Sequence, residues 1–365
     1  MPRLVYIVPA NRWSGVERYV LDLCRYFAGL GWNIDIFTRD ARAVDSLFRI
    51  PGVTLRHARF GGYTDFSTLI SLWRFLRSLP REEAVTIHAN RYRDAQLAEW
   101  ARILAKRRDV RLVVTRHYVS PGKVRIPYSK LYHNIDAHLF VSHKARQVFL
   151  SSWREGHTPF DPASLRVIHN SLLLPPGHSP APLPDKGPVI AMYHGRLAPG
   201  KGLETLIKAM AIMAERKVKM RLRVVGTGNP DYVDGLRRMA EACGVMERID
   251  WTRHTPDPMP LIAGASFGVL PSEASEAFGL ANIEYMAQGR PQVTTTNGAQ
   301  PEYLTDGHDA ILISPADPIA LADAMQRLAE SPILRAEMGE KAWLTFSTTL
   351  SWPRFAAEMY KAYTT

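Results

Sequence analysis

The run SEAFGLANIEYMAQG, residues 275–289, carries two glutamates, Glu276 and Glu284, on either side of a Phe-Gly-Leu step. A carboxylate accepts hydrogen bonds in pairs, so one can hold adjacent ribose hydroxyls and the other adjacent hydroxyls of a second sugar. Gly279 and Leu280 open the helical stretch between them, where backbone N–H groups favour an anion such as phosphate. A second run, HGRLAPGKG at 194–202, offers Arg196 and Lys201 on a glycine-punctuated loop. A forked guanidinium, a point ammonium and a helix start together suit a diphosphate. This is not a Walker loop, because the Ser/Thr that must follow the lysine is missing. Taken singly, each run is matched as well by a solvated loop or an exposed helix.

Placement separates the two readings. In the first half, LVYIVP, NIDIFT, VTLRHA, AVTIHA, RLVVT, AHLFVS and LRVIHN read as strands, and VERYVLDLCRYFAGL and DFSTLISLWRFLRSL have helical apolar spacing. After the proline-dense PPGHSPAPLPDKGP the alternation restarts. PVIAMYHG, RLRVVG, RIDW, SFGVLPS, PQVTTT and AILIS are strand-like, with KGLETLIKAMAIMAE, DYVDGLRRMAEACG, GLANIEYMAQG and PIALADAMQRLAE as helices. The expected organisation is a domain over 1–174, a linker over 175–187, a second domain over 188–348 and a final helix over 349–365 packing toward the first. Both domains are α/β, doubly wound and Rossmann-like. Ligands of such sheets sit beyond the carboxyl ends of the strands, and both charged runs lie there.

The 365 residues exceed what one core usually serves, and 46% hydrophobic with 22% charged residues fits a globular chain. Cys24 and Cys243 cannot form a disulfide framework, which fits a reducing cytoplasm. No apolar run reaches the roughly 18 residues of a membrane span, and the opening MPRLVYIVPANR reads as a buried strand rather than a signal peptide. The net charge of +11 is uneven: residues 1–180 hold 27 Lys and Arg against 14 Asp and Glu, and residues 181–365 hold 19 against 21. The excess in the first half points to an anionic partner, or to a basic surface with none.

With these runs in place the chain resembles glycosyltransferase family 4, the retaining enzymes of the GT-B architecture, in which two Rossmann-like domains face a cleft. The resemblance rests on GRLAPGKGLETLIKAM, VVGTG, EAFGLANIE, MAQGRPQV and GAQPEYLTDGHDAILISPADPIALADAM, and more loosely on SGVERYVLDLCRYFAGLGWNIDIFT, TIHAN, VTRH, LFVS and VIHNS. It implies a donor nucleotide sugar, most simply a UDP-sugar, with Arg196 and Lys201 on the diphosphate, Glu284 on the ribose and Glu276 on the transferred sugar. Phe278, Gly279 and Leu280 would complete that donor site, with Gly226, Arg253 and His254 near the base or ribose. Gly15 would approach the sugar-phosphate from the first domain. His117 would stand on the acceptor side, grouped with Glu276, Arg196 and Lys201 as catalytic. Ser14 in place of a glycine, Ala277, Gly200 and Gln288 depart from the usual pattern.

No Asp-x-Asp occurs, so neither a metal nor another cofactor is expected. The acceptor should be a glycan or lipid-linked glycan in lipopolysaccharide or surface polysaccharide assembly. It, or an anionic membrane, would meet Trp73, Arg74, Arg77 and Arg81, or the basic run holding Lys123 and Arg125. The protein would then be cytoplasmic, peripheral on the inner face of the plasma membrane. The rivals are a nucleotide-sugar epimerase or hydrolase of the same fold, a nucleic-acid-binding protein, and a dinucleotide oxidoreductase. Nucleic acid is not expected, because aromatic and basic residues do not interleave on any strand. VVGTGNPDY has Asp231 where a dinucleotide fingerprint needs its third glycine.

Overall fold

The computed structural model describes residues 1–9, 13–39, 45–61, 65–126, 128–154, 158–184 and 186–365. The chain forms two compact units, Met1–Leu173 with Trp352–Thr365, and Leu174–Ser351. All thirteen apolar runs named above are strands, and every pairing between them is parallel.

The first sheet comprises β1 Arg3–Val8, β2 Asn33–Thr38, β3 Val53–His57, β4 Val85–Ala89, β5 Arg111–Arg116, β6 Ala137–Phe140 and β7 Leu165–Val167. Its order is β3-β2-β1-β4-β5-β6-β7. The second comprises β8 Val189–His194, β9 Met220–Val225, β10 Ile249–Thr252, β11 Phe267–Leu270, β12 Gln292–Thr295 and β13 Ile311–Ile313, in the order β10-β9-β8-β11-β12-β13. Their central strands are continuous runs of Val, Ile and Leu because helices cover both faces. Chain order reverses between β1 and β4 in one sheet and between β8 and β11 in the other. These are the two positions where the topology leaves a crevice for ligands.

Several helices escape the apolar period. Tyr92–Leu104 buries Asp94, Gln96, Glu99 and Arg102, so its inward face does not read as apolar. Its charges are matched instead: Arg102 donates to Glu99 and Asp136, and Asp94 accepts from Arg91. The final helix, Trp352–Thr364, belongs to the first unit, where Phe355, Met359 and Tyr363 enter the core around β1. Arg111 Nε donates to Ala362 O at 2.8 Å and Thr86 Oγ1 to Tyr363 O at 3.0 Å. None of the described helices is long and apolar enough to cross a membrane.

The proline-dense segment differs from the coreless tether its composition indicates. Arg290, 1% exposed, spreads its guanidinium over backbone carbonyls and donates to Ala181 O at 2.9 Å and Pro182 O at 3.0 Å. His178 Nε2 meets Ala287 O at 2.9 Å. Proline carbonyls have no competing N–H in their own residue, so a buried multi-donor cation is an economical way to satisfy them.

Two buried histidines make the first unit acid-sensitive. His88 bonds Tyr363 OH through Nδ1 at 2.8 Å and Thr115 Oγ1 through Nε2 at 2.7 Å, and burial pushes its pKa down to about 3. His138, between Tyr92 OH and Tyr132 O, is pushed down to about 4. An unfolded histidine takes its proton near pH 6.5, so below that value the unfolded state binds more protons and stability falls as pH drops. Each group contributes a slope of about 1.4 kcal/mol per pH unit in this window. The urea midpoint is expected to be lower near pH 5 than near pH 7, and equal midpoints would contradict the neutral-core assignment.

Candidate functional site

In the second unit the loops leaving β8 and β11 are zipped together at the reversal point. Gly200 O accepts the N–H groups of Glu273 at 2.9 Å and Ala274 at 2.8 Å. Gly202 has φ +72°, and a Cβ there would lie 1.8 Å from Pro271 O. Only glycine lets the two backbones approach so closely. On the other flank the loop after β9 closes in, since a Cβ on Gly226 would lie 1.9 Å from Gly195 O. Gly226 is therefore a packing position that fixes the path of the loop carrying Arg196.

The charges the sequence singled out converge on this seam. Lys201 Nζ lies 2.5 Å from Glu276 Oε1, which also accepts from Ser272 Oγ at 2.5 Å. Glu284, in helix Leu280–Ala287, is 9% exposed, and its Oε2 lies 2.5 Å from His194 Nε2 at the end of β8. Each glutamate thus has one oxygen engaged from the β8 side. Among the described residues, the second oxygen of each takes no hydrogen bond, and the exposed Arg196 side chain has no ion pair or hydrogen bond. Its backbone is held, with Arg196 O accepting from Tyr193 OH at 2.9 Å. Among the described residues, the seam therefore carries two half-satisfied carboxylates, and the loop leaving β8 carries a guanidinium without a partner.

Helices Leu203–Glu215 and Leu280–Ala287 begin at Gly202 and Gly279, and neither N-terminus is capped by a side chain. Helices Pro230–Ala242, Pro318–Glu330 and Pro332–Thr349 of the same unit are capped by Asn229, Asp317 and Ser331. Uncapped amides with partial positive charge at the seam suit an anionic ligand. Phe278 plays a different part from the donor contact expected of it. Its ring is 3% exposed and stacks on Tyr303 at 4.7 Å, with Tyr303 OH donating to Phe278 O. It braces the loop from below. Leu280 is half-buried, while Arg253 and His254 lie on the surface just beyond β10. The His254 imidazole is held below its ordinary pKa by partial burial and by the nearby His194.

In the first unit, Gly15 opens helix Gly15–Gly29, and Ser14 is its N-cap, accepting from Val16 N–H at 3.4 Å and donating to Glu17. The departure at Ser14 thus supplies a cap. His117 follows β5, with Nε2 2.9 Å from Asn90 Oδ1 and its ring edge-on to Tyr19 at 4.8 Å. Burial pushes its pKa down to about 3, so it is neutral near pH 7. With Nε2–H committed to Asn90, Nδ1 offers a lone pair and no stored proton.

The residues expected to face an acceptor or membrane fall on two segments. On helix Phe66–Ser78, Trp73 is half-buried against the core with Arg77 over its ring at 5.3 Å, and the exposed apolar residues are Phe66 and Ile70. Arg74 lines a groove of about 590 Å³ beside β3 with Arg56, His57 and Ile70, and Arg81 is exposed just beyond the helix. Lys123 and Arg125 are exposed on the other segment, where Lys123 Nζ donates to Tyr128 OH at 3.3 Å. The residue of the seam that sequence reasoning did not single out is His194, which meets Glu284. Its signal was a polar side chain ending the otherwise apolar PVIAMY, directly before Gly195 and Arg196.

Comparison with known proteins fits this geometry. The profile described as Glycosyltransferase Family 4 matches residues 13–174, and that of Glycosyl transferases group 1 matches residues 178–344. A D-inositol 3-phosphate glycosyltransferase of Corynebacterium glutamicum (strain R) is 28% identical, over 96% of this chain and 91% of its own. A Kribbella flavida protein of the same name is 28% identical over 96% and 92%. Among solved structures, Anabaena HepE, in complex with UDP and glucose, superposes with a TM-score of 0.78 at 18% identity, covering 98% of each chain.

The seam yields a stability prediction. Gly202→Ala places a methyl against Pro271 O and a side chain in the left-handed region, so a loss of about 2 kcal/mol or more is expected. Thermal unfolding checks this, and an unchanged melting temperature would mean the loops do not depend on that approach.

Proposed function

This chain belongs to glycosyltransferase family 4, and on that footing we propose that it transfers a hexose-type sugar, with retention of configuration, from a UDP-sugar to an anionic or lipid-linked acceptor. One observation carries the donor reading: Glu284 and Glu276 are each held through one oxygen, by His194 and by Lys201, and the other oxygen takes no hydrogen bond among the described residues, on the same seam whose β8 loop carries Arg196. Glu284 takes the ribose hydroxyls and Glu276 those of the sugar. Arg196, Lys201 and the amides at Gly279 and Leu280 take the diphosphate.

Transfer breaks the bond from the sugar's anomeric carbon to the β-phosphate oxygen and forms one to the acceptor oxygen on the same face. The acceptor's proton passes to the departing phosphate, so no protein nucleophile is required. Negative charge grows on the diphosphate, and preorganised cations and helix amides stabilise it where it develops. These groups do the work that a bridging metal ion does elsewhere, and the reaction is proposed as metal-independent. Neutral His117, on the acceptor-side unit, serves as a hydrogen-bonding group and not as a proton store.

The basic first half favours an anionic acceptor. A lipid-linked glycan of lipopolysaccharide or surface polysaccharide assembly fits, with Phe66, Ile70, Arg74 and Arg77 resting on the inner face of the plasma membrane. The relatives named for D-inositol 3-phosphate favour a second reading, a phosphorylated polyol.

Thermal unfolding with UDP, GDP, ADP and CDP tests the donor site, beside an Arg196→Ala/Lys201→Ala double variant and with a chelator present. At about 100 times its dissociation constant a nucleotide adds roughly 2.7 kcal/mol. UDP should stabilise the wild type and not the variant. No stabilisation of a folded wild type by any of the four would overturn the reading, and product analysis separates transfer from hydrolysis or epimerisation.

A further inference from the structure

We infer that His194 is a positioning residue that fixes the ribose-binding carboxylate of Glu284, a role that rests on the donor reading above. The inference comes from following protons through a buried chain. Tyr285 OH has one proton, and it goes to Met192 O at 2.6 Å. His194 Nδ1, 2.9 Å from the same phenol oxygen, must therefore be the donor there. Its Nε2 lies 2.5 Å from Glu284 Oε2, a distance at which two bare lone pairs would repel, so a proton sits between them. Histidine and glutamate thus share one short hydrogen bond. Glu284 Oε2 is pinned toward β8, and Oε1 alone remains to accept hydroxyls.

The fold makes room for this chain. Tyr285 is fully buried, and its ring lies across β11 where a Cβ on Gly268 would come within 2.3 Å of it. A glycine in the middle of a buried strand is costly unless something must pass close to it. Here it lets the phenol reach the end of β8 and set the imidazole's orientation. The imidazole also stacks edge-on to Tyr285 at 4.9 Å, which further limits its rotation. The arrangement parallels the neighbouring pair, in which Lys201 pins Glu276 Oε1. In both, a proton-bearing nitrogen on the β8 side holds one carboxylate oxygen, and the other takes no hydrogen bond among the described residues.

The test is ribose discrimination, read by titration calorimetry with UDP and 2′,3′-dideoxy-UDP on wild type, His194→Leu, His194→Gln and Glu284→Ala. Hydrogen bonds to a positioned carboxylate should make wild type prefer UDP by about tenfold or more. His194→Leu should weaken UDP while leaving the dideoxy nucleotide nearly unchanged, so that the preference collapses. His194→Gln, which retains an N–H for Glu284, should recover part of it. In turnover, His194→Leu should raise the donor KM far more than it lowers kcat. An unchanged preference in His194→Leu, or equal weakening of both nucleotides, would overturn the inference. If Glu284→Ala itself keeps the full preference, or UDP fails to bind the wild type, the donor reading beneath it fails as well.

Discussion

The second unit is organised around one close approach, that of the loop after β8 to the loop after β11. Gly202 passes so near Pro271 O that no side chain fits, and Gly200 O collects two N–H groups from the facing loop. This contact closes the gap where strand order reverses. At this seam Lys201 and His194 from the β8 side meet carboxylates from the β11 side. Lys201, beside this contact, reaches Glu276, and His194, at the end of β8, reaches Glu284. The two helices that start at the seam begin on glycines in the left-handed conformation and carry no side-chain cap. The pairing and orientation of these side chains accompany that backbone proximity.

The first unit applies a different constraint. Its core holds polar groups that are satisfied by one another, and its last helix is a structural member of that network. Tyr363 bonds both Tyr6 and His88, and His88 in turn bonds Thr115. Tyr19 touches Thr115, His117 and Met359. The surroundings of His117 are thus tied to residues from both ends of the chain. Desolvation keeps these imidazoles neutral, which suits hydrogen bonding and disfavours proton storage.

Much of this was legible in the residues. The strands were readable because strands covered on both faces are continuous apolar runs, and the site because its charged residues come directly after such runs. Helix Tyr92–Leu104 was not readable, since Asp94, Glu99 and Arg102 occupy its buried face and cancel the apolar period. Trp73 looked outward by its neighbours in sequence, yet it packs on the core and leaves Phe66 and Ile70 exposed. Phe278 sat among donor-site residues but stacks beneath them on Tyr303. Spacing along the chain also cannot reveal that Lys201 turns to a carboxylate 75 positions away, or that His194 completes a pair with Glu284. Those facts depend on where two loops meet.

The seam, with Arg196 on its β8 loop and two carboxylates each held through one oxygen, is proposed as the surface for a diphosphate flanked by two diols, and this proposal ties family membership to a specific donor geometry. A crystal structure of the protein with UDP tests that claim most directly. The account predicts the diphosphate against Arg196 and the amides at Gly279 and Leu280, with the ribose hydroxyls on Glu284 Oε1. Nucleotide density elsewhere on the molecule, or a ribose turned away from Glu284, would contradict it.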